Sequence, residues 1–214
     1  MTFPAKYSGW ISYVRDWIGA DEYSDAKIAA FLDLAHIRMN REMSAYGMEK
    51  RAEIVIAESM VGQAITILDV VPDFNRVRLV SVRGIGPLDV DAINEIQISI
   101  QTNPDPGDTP MYYSIDAGSL YVYPGLGEGS IIDFFYYCKV PELSTEVDTN
   151  VFSIDHPDAL LYAACLEAAP YMVEDERIPI WENKYVTAVA VANDIPNRIK
   201  MGSTPLKRQI KGLS

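Results

Sequence analysis

The sequence predicts an α+β protein. Terminal helices form an α-helical bundle, an antiparallel β-sandwich or barrel is inserted between them, and an extended C-terminal tail follows. Three observations carry this. Apolar residues recur at helical spacing near the N-terminus and again between residues 155 and 196. Between those stretches, short β-prone runs are separated by turns rich in glycine, proline and aspartate. Residues 198–214 hold five cations, no acid and no sustained apolar pattern. The boundaries expected from these shifts are 1–48 for the N-terminal helices of the bundle, 49–150 for the β-domain, 151–197 for the C-terminal helical hairpin and 198–214 for the tail.

Ser8 to Ile18 forms the first expected helix, with Trp10, Ile11, Val14, Trp17 and Ile18 on one side and Gly19 ending it. Ser24 is a natural N-cap for the second, and Asp25 suits its positive first turn. Ile28, Phe31, Leu32, Ala35 and Met39 give that helix one buried face, and it is expected to run to about Ala45 before Gly47 stops it. Strands are expected over Ala52 to Ile56, Ala64 to Leu68 and Arg76 to Arg83, with Gly84-Ile85-Gly86-Pro87 turning the chain. Residues 103–108 read as an exposed loop. Met111 to Ile115, Ser119 to Tyr123 and Ser130 to Lys139 follow as strands, the first two joined by the tight turn Asp116-Ala117-Gly118. Leu120 and Val122 share one face, as do Ile132, Phe134 and Tyr136. Asp155 is expected to cap the next helix, with Pro157 in its first turn. Leu160, Leu161, Ala164, Cys165 and Ala168 form its stripe, and Pro170 kinks or ends it. Pro179 opens a last helix carrying Trp181, Tyr185, Val189 and Ala192 on one side and stopping near Pro196.

The 214 residues suffice for one large domain or two small ones, each with a core. Apolar residues at 49% and charged residues at 22% suit a folded chain rather than a disordered one. No apolar run reaches the ~18–20 residues of a membrane span, so no membrane partner is expected. The first residues lack the charged-then-apolar order of a secretory signal, which predicts synthesis in the cytoplasm. Cys138 and Cys165 fall on a strand and a helix and read as small buried residues. The net charge of −12 argues against general affinity for nucleic acid. The tail's five cations leave −17 on residues 1–197. An acidic body with a basic tail suits docking onto an acidic partner or an acidic neighbouring copy.

No residue pattern carries catalysis, cofactor binding or metal binding. His36 sits mid-helix with no second ligand four residues away, and reads as a packing residue. His156 stands between Asp155 and Asp158, but a helix start accounts for those acids. Asp89, Asp91 and Glu95 lack the glycine and the spaced terminal glutamate of a calcium loop. Gly84-x-Gly86 and the glycines at 125, 127 and 129 lack the Lys-Ser/Thr ending of a phosphate loop. Ser8, Ser24 and Ser119 have no triad setting, and no carboxylate pair emerges for a hydrolase. Glu174, Asp175 and Glu176 form an acidic cluster at a helix–helix turn, read as a solvated corner or an inter-subunit contact for the basic tail. Tyr112, Tyr113, Tyr121, Tyr123, Phe135 and Tyr137 leave open a second class of function, a glycan-binding β-sandwich module, against the plainer reading of cross-strand packing.

An ordered series runs through the chain: Pro72-Asp73-Phe74, Pro87-Leu88, Tyr113 to Pro124, Tyr136-Tyr137, Thr149-Asn150, Pro157 to Ala168, and Trp181. In order and spacing it resembles the head-tail adaptor family of short-tailed bacteriophages. The resemblance spans about residues 69–195. It implies a non-enzymatic virion protein at the head-tail interface, seated beneath the portal protein in a twelve-copy ring. Such a ring extends the DNA channel without binding DNA specifically and presents a surface to tail nozzle or fibre proteins. Neighbouring adaptor subunits are the lateral partners. It also implies that the C-terminal extension, with Arg198, Lys200, Lys207, Arg208 and Lys211, docks into the portal. No cofactor is implied.

Overall fold

The computed structural model describes residues 2–102, 109–172 and 175–203. The protein is mixed α+β, with seven α-helices and two four-stranded sheets among the described residues. It divides into two compact units, one from Met1–Gly47 with Val140–Ser214 and one from Met48–Lys139.

The first unit is helical. Helix α1 (Tyr7–Ile18) buries Trp10, Val14 and Ile18 and ends on Gly19, whose φ of 70° is the left-handed C-cap that glycine adopts without penalty. Helix α2 (Asp25–Glu42) starts on Ser24, whose side chain accepts from the Lys27 amide at 3.4 Å. It stops at Glu42, short of Ala45, and a 3-10 turn, Tyr46–Met48, follows. Numbering in chain order, α5 (Val151–Asp155), α6 (Pro157–Ala168) and α7 (Ile178–Ser203) complete the unit. Asp155 ends α5 and does not cap α6; His156 is the residue between them. Asn150 instead caps α5, through a reciprocal capping box with Ser153, while His156 begins α6 without a side-chain cap. Helix α6 packs against α1, α2 and α7. Its Ala159, Ala163, Ala164, Cys165 and Ala168 are buried, and their small side chains let neighbouring backbones approach. Pro170 falls in a 3-10 turn, Ala169–Tyr171, that closes the helix.

In the second unit, the first sheet holds β1 (Glu49–Val55), β8 (Ile131–Cys138), β3 (Phe74–Val82) and β4 (Gly86–Pro87), in that order. Ile54, Val80, Val82, Ile132, Phe134 and Tyr136 are buried along one face, as alternation requires, and at the end of β8 Tyr137 and Cys138 are buried as well. The second sheet is β2 (Ile65–Thr66), β7 (Ser119–Tyr123), β6 (Tyr112–Asp116) and β5 (Asp89–Val90). Both sheets are open, so the expected alternative of a barrel does not hold. Nor is the unit wholly antiparallel: β5 and β6 run parallel because α4 (Ile93–Thr102) lies between them in sequence as a crossover. The alternating Ile96, Ile98 and Ile100 hide its helical period, and no element is expected there from the sequence. The strand expected over 64–68 shrinks to β2. The Ile67 amide meets the Gly118 carbonyl at the end of the ladder, and α3 (Ile67–Val70) begins at once.

Candidate functional site

The chain leaves the helical unit after Gly47 and returns to it at Val140. A buried polar clasp fastens the return. Asn40 of α2 donates to the Val140 carbonyl at 3.0 Å and accepts from the Val140 amide at 2.8 Å, as a neighbouring strand would. One turn earlier, His36 is fully buried. Its Nδ1 lies 2.8 Å from the Leu32 carbonyl, which can only accept, so Nδ1 carries the proton. The Asn150 amide nitrogen donates to the Pro141 carbonyl at 2.7 Å and to His36 Nε2 at 2.8 Å. The Asn150 oxygen accepts from the Ser153 amide at 2.9 Å, completing the cap. Every atom of the Asn150 amide therefore has one possible role, and the neutral imidazole is the one that fits. Burial pushes the His36 pKa down, in the same sense. On the outgoing side, a Cβ at Gly47 would stand 2.8 Å from Val151 Cγ1, so any other residue there must move the Val151 side chain.

The turn between α6 and α7 is held by Arg177. Its guanidinium donates to the Trp17 and Ile18 carbonyls at 2.9 and 3.0 Å. These belong to the last turn of α1, where carbonyls lack helical partners and a cation is favoured. Arg177 also bonds Asp175 through Nε and Nη2 and lies 4.9 Å from the Trp181 ring centroid. These bonds to Arg177 pull the Asp175 carboxyl down. Of the acidic cluster, Asp175 is thus engaged within the chain, Glu176 is exposed and Glu174 lies outside the described residues. Sequence reading missed Arg177; its position two residues after Asp175 was the available signal, but the α1 carbonyls it reaches are 159 and 160 residues away.

Helix α7 buries Trp181, Tyr185 and Ala192, and leaves Ile180, Val186 and Val191 exposed. Asn193 ties it to the end of α2, accepting from the Ser44 amide at 2.7 Å and donating to the Glu42 carbonyl at 3.0 Å. The helix does not stop near Pro196 but continues to Ser203. A proline removes one backbone donor without preventing later residues from bonding. Arg198 and Lys200 are therefore on helical backbone rather than on an extended tail, while Lys207, Arg208 and Lys211 lie outside the described residues.

The β-unit carries its polar groups on exposed faces. Glu53 and Asp133 stand directly opposite on β1 and β8. Arg51 and Arg83 each bond both acids, at 2.6 to 2.8 Å. None of the six candidate aromatics is exposed: Tyr113 and Tyr137 are buried and the others half-buried. A cavity of about 520 Å³ lies beside Tyr121 and Tyr123, lined mostly by apolar residues such as Met60 and Leu120, with Gln63 and Gln97 as its polar side chains apart from the tyrosines. Asp91 bonds the Ala92 amide at the start of α4 and does not converge with Asp89 and Glu95 on an ion. Among the described residues, no three His, Cys, Asp or Glu side chains group as metal ligands, and no helix is long and apolar enough to cross a membrane.

No curated protein matches the chain. The SU10 adaptor protein family matches residues 5–208, nearly its whole length and both units. The chain therefore belongs to the SU10 adaptor protein family, whose members are structural phage adaptors.

Proposed function

We propose that this adaptor seats beneath the portal ring at the head-tail interface, where copies side by side extend the DNA channel in a twelve-fold ring and present a surface to the tail nozzle or fibres. The family match across both units carries the reading. The distribution of charge supports it. The last helix leads into five cations within residues 198–214, on a chain whose remainder is strongly acidic. Arg198, Lys200, Lys207, Arg208 and Lys211 contact acidic grooves of the portal. Glu176, with Glu174, faces the adjacent adaptor subunit, while Asp175 keeps the corner in shape through Arg177. In this reading α1, α2, α6 and α7 act as one bundle and the two sheets as a sandwich. Acidic residues along the channel repel DNA phosphates, so DNA passes without specific binding.

Co-sedimentation with portal rings from the same genome tests this, comparing the full chain with one truncated after Asn197. The expected result is binding by the full chain and loss on truncation. Binding by both moves the interface to the folded units. Binding by neither overturns portal docking.

A further inference from the structure

The outer edge of β1 is unpartnered. The strand stands at the end of its sheet, and among the described residues no backbone group bonds to its outer side. The hydrogen-bond phase decides which residues point there. The Ile56 amide donates to the Ser130 carbonyl at 2.9 Å, so in this register Ile54, Ala52 and Lys50 also bond inward to β8. Glu49, Arg51, Glu53 and Val55 therefore direct their N–H and C=O groups outward. The pleat also puts these four side chains on one face. Arg51 and Glu53 keep 47% and 50% of their side-chain surface exposed, and Val55 is 58% exposed.

Such an edge is a template for another strand, and its charges select which one. Laid antiparallel on a second copy about a two-fold axis through Ala52, β1 pairs over its full length. Arg51 then faces the partner's Glu53, and Glu53 faces the partner's Arg51. Glu49 and Val55 meet the partner's Val55 and the partner's Glu49. All four outward-pointing residues fall into hydrogen-bonded pairs in this register. A shift of two residues sets Arg51 against the partner's Arg51, or Glu53 against the partner's Glu53, and like charges directly opposed are destabilising. A shift of one residue puts the outward backbone groups out of phase and turns the charged face over. Backbone phase and charge thus agree on one register.

We propose that β1 is a homodimerisation strand, through which two free copies join edge to edge about Ala52 and merge their first sheets. The contact is isologous, closes on two copies and so does not itself build a ring. It holds the adaptor before assembly and stands independently of portal docking.

Sedimentation equilibrium of the full chain, with amide hydrogen exchange, tests this. The expected mass rises with concentration from the 23.9 kDa of one chain to twice that value. The Arg51 and Glu53 amides gain protection with dimerisation, while those of Ala52 and Ile54 are protected throughout. Glu53→Pro removes an outward N–H without touching the β1–β8 ladder and abolishes the dimer. Arg51→Glu weakens it about tenfold by turning two attractive pairs repulsive. Arg51→Glu with Glu53→Arg restores it, which a merely destabilised fold cannot do. A chain monomeric at every soluble concentration overturns the proposal and leaves the edge to a strand of another protein. A dimer indifferent to Glu53→Pro overturns it as well.

Discussion

The two units solve different problems with different forces. The β-unit is one continuous stretch, Met48–Lys139, while the helical unit is assembled from two segments that the β-unit separates in sequence. A continuous unit folds with its own turns bringing strands together. A split unit must recognise its returning segment, and here buried polar groups do so: Asn40, His36, Asn150 and Ser153 are all among its buried residues. Ser114 is the only buried polar residue of the β-unit among those described. Its ion pairs lie on partly exposed faces, where water has already discounted them. The comparison teaches that polar groups specify the joint of the helical unit, while apolar burial holds the sheets.

The largest expected effect is on the apolar side. Phe134 is fully buried between Ile132 and Tyr136 on β8. Phe134→Ala should cost the β-unit about 3–5 kcal/mol, with exchange protection lost over 48–139 before the helices loosen. Simultaneous loss in both units would break the comparison. Next comes Asn150→Ala, which strips a helix cap and orphans the Pro141 carbonyl while leaving His36 Nε2 without its donor. We expect a loss of about 3 kcal/mol from these combined deficits, confined to the helical unit. A loss below 1 kcal/mol, as for a lone exposed cap (~1 kcal/mol), would show that the clasp matters little.

Acid should then act on the helical unit first. His36 has a folded pKa below its unfolded value of about 6.5, so the unfolded chain binds more protons below that pH. Its contribution is complete above about pH 6.5 and is lost as pH falls toward the folded pKa. His156 is also lowered by burial and acts in the same sense, so His156→Gln is the background for the test. In that background, the urea midpoint of the helical unit should drop between about pH 7 and 5, and adding His36→Gln should flatten the slope. The smallest effect is expected for Arg83→Ala, a urea midpoint indistinguishable from that of the parent chain, since its ion pairs are exposed and Arg51 still bridges both acids.

Much of the fold was legible. Helices α1 and α2, the hairpin of β6 and β7, and β8 follow from periodicity and turn chemistry, because amphipathic spacing is a property of neighbouring residues. Two helices were not legible, one left without an expected element and one expected to end too early. Helix α4 has an alternating isoleucine pattern and is nonetheless helical, with only Ile96 of its described side chains buried. Helix α7 crosses Pro196, where local rules expected a stop.

For the site, the sequence alone carried the ordered motifs of the adaptor family, the acidic body and the basic C-terminal segment. These are written in composition and spacing, which survive any rearrangement in space. Tertiary structure alone decided that His36 is a buried hydrogen-bonded joint, 114 residues from its partner Asn150. It alone set Arg177 against the last-turn carbonyls of α1 and committed Asp175 to Arg177 rather than leaving it free with its acidic neighbours. It alone set the phase that turns Arg51 and Glu53 outward along β1. The physical reason is common to all three: hydrogen bonds depend on which atoms meet within about 3 Å, and sequence separation does not encode that distance.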